Sequence, residues 1–160
     1  MNLDKDIFIV DDFYNNPDVI RELALSANYP KFDVQRNFPG QESEKSYYTN
    51  RHKEKFENIL NKKISVEPDK FIYGKFRYSL VGDDARTKIH LDWNVDWTAI
   101  VYLSLNENIK GNLGIYRMKE LNLDESPSNF DLKEKFGCDN IKDFDAKYVM
   151  PISKDLNKWD

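Results

Sequence analysis

The chain has 160 residues, 40% of them hydrophobic and 14% aromatic, enough for one domain with its own apolar core. Its charged fraction of 32% is high, yet the aromatic content is far above that of a disordered chain. A net charge of −4 and a pI near 5.3 provide no basic field, so neither nucleic acid nor an anionic membrane is an expected partner. Cys138 is the single cysteine, which excludes an intrachain disulfide and suits a reducing, cytoplasmic setting. The acidic opening from Met1 to Asp6 lacks the pattern of a secretory signal, and no apolar run is long enough to span a bilayer.

Asp6 to Val10 is a β-branched and aromatic run that reads as an opening strand. Asn16, Pro17 and Asp18 then supply an N-cap, a first-turn proline and an early acid. Val19, Ile20, Leu23 and Ala27 recur behind them at helical spacing up to Tyr29-Pro30. From Lys31 to Thr49 no period is clear, and Phe38-Pro39-Gly40 marks a turn in a long ordered loop. Asn50 is the expected cap of a second amphipathic helix with Phe56, Ile59 and Leu60 on one face. His52, flanked by Arg51, Lys53 and Lys55, reads as a residue of the charged face rather than a metal ligand.

After Pro68 the texture becomes that of strands. Phe71 to Leu80, Thr87 to Asp92, Trp97 to Leu105 and Asn112 to Met118 are joined by short polar turns, a pattern that predicts antiparallel β structure. Beyond Met118 the chain turns polar, with helical pieces around Phe130 to Phe136, closed by Gly137, and around Ile141 to Tyr148. Residues 119–147 therefore read as a helical insertion within one domain of residues 1–160.

His90-Leu91-Asp92 is the sharpest chemical constellation. On a strand, residues i and i+2 project to one face, so an imidazole and a carboxylate converge and can take adjacent positions around one cation. The plain alternative is a strand-end hydrogen bond between the two side chains. Trp93 and Trp97 flank the loop that follows, either as the rim of a pocket or as packed aromatics. Tyr78 is a candidate pocket residue or a packed one, and strand alternation sends Arg77 to the opposite face. Arg117 reads as a basic group near the site or as a salt-bridged strand end.

The order Phe76-Arg77-Tyr78, a Gly-Asp-Asp turn, His90-Leu91-Asp92, Ala99 to Ser104 and Gly111 to Arg117 resembles the 2-oxoglutarate/Fe(II)-dependent oxygenases, most closely their prolyl-hydroxylase-like branch. The resemblance covers Phe71 to Arg117, with support from the strand-then-helix opening at Ile7 to Ala27. It implies an α+β protein with a double-stranded β-helix (jelly-roll) core, incomplete at the C-terminus, and N-terminal helices packed on the sheet. It also implies Fe(II) held by His90 and Asp92, Tyr78 facing the 2-oxoglutarate, and hydroxylation of an unidentified substrate coupled to decarboxylation of that co-substrate. No residue after Asp92 matches the family's distal His or the basic residue that grips 2-oxoglutarate. The chain thus reads as an N-terminal portion, inactive alone. Exposed sheet edges then predict a homo-oligomer. The alternative is a non-catalytic jelly-roll binding or assembly module.

Overall fold

Residues 7–111 and 113–160 are described by a computed structural model. They fall into two compact units, one of residues 7–34 and 39–84, the other of residues 35–38 and 85–160. The chain combines short helices with a small antiparallel sheet, and no barrel closes among the described residues.

In the first unit, helix α1 (Pro17–Leu25) begins as its sequence predicts. The Asn16 side chain accepts the Val19 N–H at 3.4 Å, Pro17 enters at the first turn, and Asp18 complements the helix dipole. None of its residues is fully buried, and Val19, Leu23 and Leu25 stay exposed, so the apolar spacing that marks the helix is only half used. Strand β1 (Gln41–Glu42) pairs antiparallel with β2 (Arg77–Tyr78), Gln41 opposite Tyr78 and Glu42 opposite Arg77. Between them comes helix α2 (Asn50–Leu60). Its N-cap is Thr49, one residue earlier than the sequence suggests. His52 reaches back to accept the Thr49 N–H at 3.1 Å, filling the place that Glu or Gln takes in the usual capping box.

Two glycines let this unit close. At Gly40 (φ +79°) an added Cβ would stand 1.9 Å from the Tyr78 carbonyl oxygen, and at Gly74 (φ +61°) 2.5 Å from the Tyr48 nitrogen. No apolar side chain described in this unit is fully buried. Ring pairs hold it instead: Phe13 with Phe56 at 5.2 Å, Tyr29 with Tyr78 at 4.8 Å and Tyr47 with Phe76 at 4.6 Å. Polar anchors add to them. The buried Ser43 exchanges backbone and side-chain bonds with Phe76, and the buried Glu42 receives Arg77.

The second unit has the apolar core, formed by Ile89, Met118, Leu132, Cys138, Phe144, Val149 and Trp159. Helix α3 (Asn129–Glu134) is capped by Ser128, which accepts the Asp131 N–H at 3.1 Å. It stops at Gly137 (φ +60°), where the Cys138 N–H returns to the Leu132 carbonyl at 2.8 Å. Helix α4 (Ile141–Phe144) is capped by the Asn140 carboxamide and widens at once into a π-helical turn, Asp145–Val149, before a 3-10 turn that contains Pro151. Met118 bridges to both Leu123 and Trp159, and Arg117 exchanges both backbone bonds with Asp160.

The expected strands differ in outcome. Phe71 to Leu80 forms a ladder only at Arg77–Tyr78, and Trp97 to Leu105 and residues 113–118 carry none beyond the Met118 bridges. Residues 7–10 have no regular structure, while Asp6 and Asn112 lie outside the described residues. Strand propensity expresses a fit to neighbouring strands, and Ile100, Tyr102, Leu113 and Ile115 stand exposed with no strand beside them among the described residues.

Candidate functional site

Residues 85 to 93 show why His90 and Asp92 face the same way. Ala85, Thr87 and Ile89 are buried and Leu91 and Trp93 half-buried, while Arg86, Lys88, His90 and Asp92 are exposed, an unbroken alternation of period two. The segment behaves as a strand in side-chain direction without belonging to a ladder. Its backbone is clamped elsewhere: the Arg86 N–H donates to the Arg36 carbonyl (2.7 Å), the Lys88 N–H to Ser153 Oγ (2.8 Å) and the Ile89 N–H to the Ser153 carbonyl (3.1 Å). Ile89 then enters the core and Leu91 packs against it, which fixes the outward face.

On that face His90 Nε2 lies 3.7 Å from Asp92 Oδ1, with the side chains 38% and 51% exposed. Thr98 Oγ1 donates to Asp92 Oδ2 at 2.8 Å, so one carboxylate oxygen is occupied and the other is directed at the imidazole. One nitrogen and one oxygen donor, adjacent and open to solvent, suit two neighbouring positions of a hard or borderline divalent cation such as Fe(II) or Mn(II). Among the described residues no third His, Cys, Asp or Glu joins them closely enough to complete a three-ligand set.

Trp93 turns inward, with Lys142 Nζ 5.5 Å from its ring centroid, whereas Trp97 remains on the exposed side. Tyr78 belongs to the first unit, where its ring meets Tyr29 edge to face. Arg77 is paired with Glu42, its Nη2 2.7 Å from Oε2. Arg117 is ion-paired, its Nη2 3.0 Å from Asp160 Oδ2. Cys138 is buried and not oxidised to a disulfide. His52 is half-buried rather than displayed on a charged face, and its Nε2 lies 3.1 Å from the Tyr14 hydroxyl.

Sequence reasoning missed Asp145. Only 4% exposed, it lies at the start of the π-helical turn with Oδ1 unpartnered, and the indole N–H of Trp93 beside it also completes no hydrogen bond. Burial raises its pKa above the ordinary 3.8, against the opposing pull of His90, Arg86 and the nearby Trp93 indole. A raised carboxyl pKa means that the folded unit holds this proton more tightly than the unfolded chain. The associated stability is complete below pH 3.8 and is lost as pH rises through the folded value. Asp145→Asn is therefore expected to raise the midpoint of chemical unfolding at neutral pH and to flatten that pH dependence; an unchanged or lower midpoint would contradict it.

No family model, curated protein or solved structure matches the chain. No helix among the described residues is long and apolar enough to cross a membrane.

Proposed function

We propose that the chain is of the 2-oxoglutarate/Fe(II)-dependent oxygenase type, without the family's distal His and the basic residue that grips 2-oxoglutarate and so inactive alone, with a divalent ion held by His90 Nε2 and Asp92 Oδ1. The convergence of these two donors on one solvent-open face is the observation that carries this reading. When bound, Fe(II) with 2-oxoglutarate as small-molecule co-substrate supplies oxygen activation and hydroxylation of a C–H bond. The chain's own part is to present a neutral imidazole and an ionised carboxylate, and Thr98 holds the latter in place. Trp97, exposed just beyond the pair, would in this reading border an approaching substrate.

In this reading Phe71 to Leu80, Thr87 to Asp92, Trp97 to Leu105 and residues 113–118 are jelly-roll strands that a complete sheet pairs. The exposed Ile100, Tyr102, Leu113 and Ile115 support it, since such side chains on unpaired extended backbone call for a neighbour, here a second copy of the chain. The single, buried Cys138 supports a cytoplasmic setting.

The test is anaerobic calorimetric titration with Fe(II) or Mn(II), with and without 2-oxoglutarate, on the wild type, His90→Ala and Thr98→Val. Binding that tightens with 2-oxoglutarate, disappears in His90→Ala and weakens about tenfold in Thr98→Val supports the proposal. Absent or His90-independent binding refutes it and leaves a non-catalytic binding or assembly module.

A further inference from the structure

His52 sits where three pieces of the first unit meet. Its own helix α2 carries it on the first turn, the preceding Tyr48 stacks on its ring at 5.7 Å, and the strap ahead of α1 brings the Tyr14 hydroxyl to Nε2. The two ring nitrogens have unequal duties. Nδ1 accepts the Thr49 backbone N–H at 3.1 Å, with Thr49 Oγ1 2.8 Å from the same nitrogen. A backbone N–H can only donate, so Nδ1 must carry a lone pair, and in the neutral ring the proton resides on Nε2, facing Tyr14.

The same helix fastens the strap at a second point. Lys55 donates from Nζ to the Phe13 carbonyl and lies over the Phe13 ring, which packs on Phe56. Asp12, at φ 52°, gives the strap its bend. The capping box and the attachment of residues 12–14 thus share one imidazole.

We propose that His52 is an acid-sensitive latch whose protonation at Nδ1 opens the Thr49 cap of α2, while Nε2–H keeps its hold on Tyr14. An imidazolium has no lone pair for the Thr49 N–H, so the two arrangements exclude each other. The charged groups on the elements around the ring are Asp11 and Asp12 on the strap and Arg51, Lys53, Glu54, Lys55 and Glu57 on α2, with the tyrosine hydroxyls of Tyr14 and Tyr48 nearer. Glu57 is engaged by Lys53 and Lys63, and none of these carboxylates pairs with the imidazole among the described contacts. Burial holds the His52 pKa below the ordinary 6.5, against an opposing pull from the Thr49 backbone. The neutral ring therefore contributes stability that is complete above pH 6.5 and is lost as pH falls towards the folded value.

The experiment compares the full chain with His52→Gln at about pH 7.5 and about pH 5. Glutamine caps helices of this kind but does not titrate in that range. Three readouts are followed: the 15N tautomer of His52, hydrogen-exchange protection of the Thr49 amide after correction for intrinsic rates, and proteolytic cleavage around residues 11–15. The wild type is expected to show the Nε2–H tautomer at the higher pH. On acidification it should lose Thr49 protection, which His52→Gln should not do, while cleavage at the strap stays unchanged because Nε2–H and Lys55 still hold it. An Nδ1–H tautomer in the wild type, protection that persists at the lower pH, or an equal acid loss in His52→Gln would each overturn the proposal. The tautomer is measured on the wild type alone and decides the point even if the variant fails to fold.

Discussion

Phe144→Ala lowers the unfolding free energy of the second unit by about 3–5 kcal/mol, the cost of emptying a close-packed aromatic site. Phe144 is 2% exposed and ends the regular part of α4, so no solvent-side relaxation can fill the space it leaves. Phe136 meets it at 5.0 Å edge to face and Tyr148 at 5.1 Å, and these two rings also touch each other at 5.6 Å. Truncation therefore removes two ring contacts and leaves the third without support. Phe144→Leu retains most of the volume and should cost roughly half as much. Urea unfolding followed by hydrogen exchange of the Ile89 and Val149 amides measures the loss, and a change below about 1 kcal/mol would show that this cluster is not the centre of the core.

In the first unit, Arg77→Ala costs more than Glu42→Ala, although both delete the same ion pair. Glu42 is 7% exposed and receives Arg77 Nε at 2.8 Å and Nη2 at 2.7 Å on one oxygen, with Lys75 Nζ at 3.8 Å from the other. Removing Arg77 strands a buried carboxylate with one distant cation, at a cost of about 3 kcal/mol. Removing Glu42 leaves a half-exposed guanidinium that water solvates, so the loss is about 1–2 kcal/mol. The double variant should recover part of the Arg77→Ala deficit. Paired denaturation curves for the three variants provide the comparison, and equal losses in the two single variants would contradict the asymmetry.

Local signals in the sequence carried different amounts of this architecture. The cap at Asn16 and the stop at Gly137 act over a few residues, so α1 and α3 were legible from composition and spacing, as was a helical piece from Ile141; the caps at Ser128 and Asn140 emerged only in the structure. The Thr49 cap was displaced by one position because histidine is not the residue expected at the third turn position of a capping box. The common outward face of His90 and Asp92 was also legible, since burial alternates along residues 85–93 even though no ladder forms there. Which extended segments pair was not, because pairing is decided by partners distant in the chain. Asp145 and His52 escaped for the same reason. What makes the first notable is Trp93 and the interior around it, and what makes the second notable is Tyr14, which is 38 positions upstream. Neither neighbour is visible from the residues beside them.

Gly40 and Gly74 also bear on how such a chain can drift over generations. Each position tolerates no side chain: a methyl group would collide with backbone, at the Tyr78 carbonyl oxygen in one case and at Tyr48 in the other, and each residue has a positive φ besides. The apolar positions of the second unit can exchange among Leu, Ile, Met and Phe at modest cost. These two positions can exchange with nothing. In any set of descendants the most stubborn columns of the first unit are therefore two residues that perform no chemistry, and their spacing around β1 and β2 is a fingerprint by which distant relatives can be found.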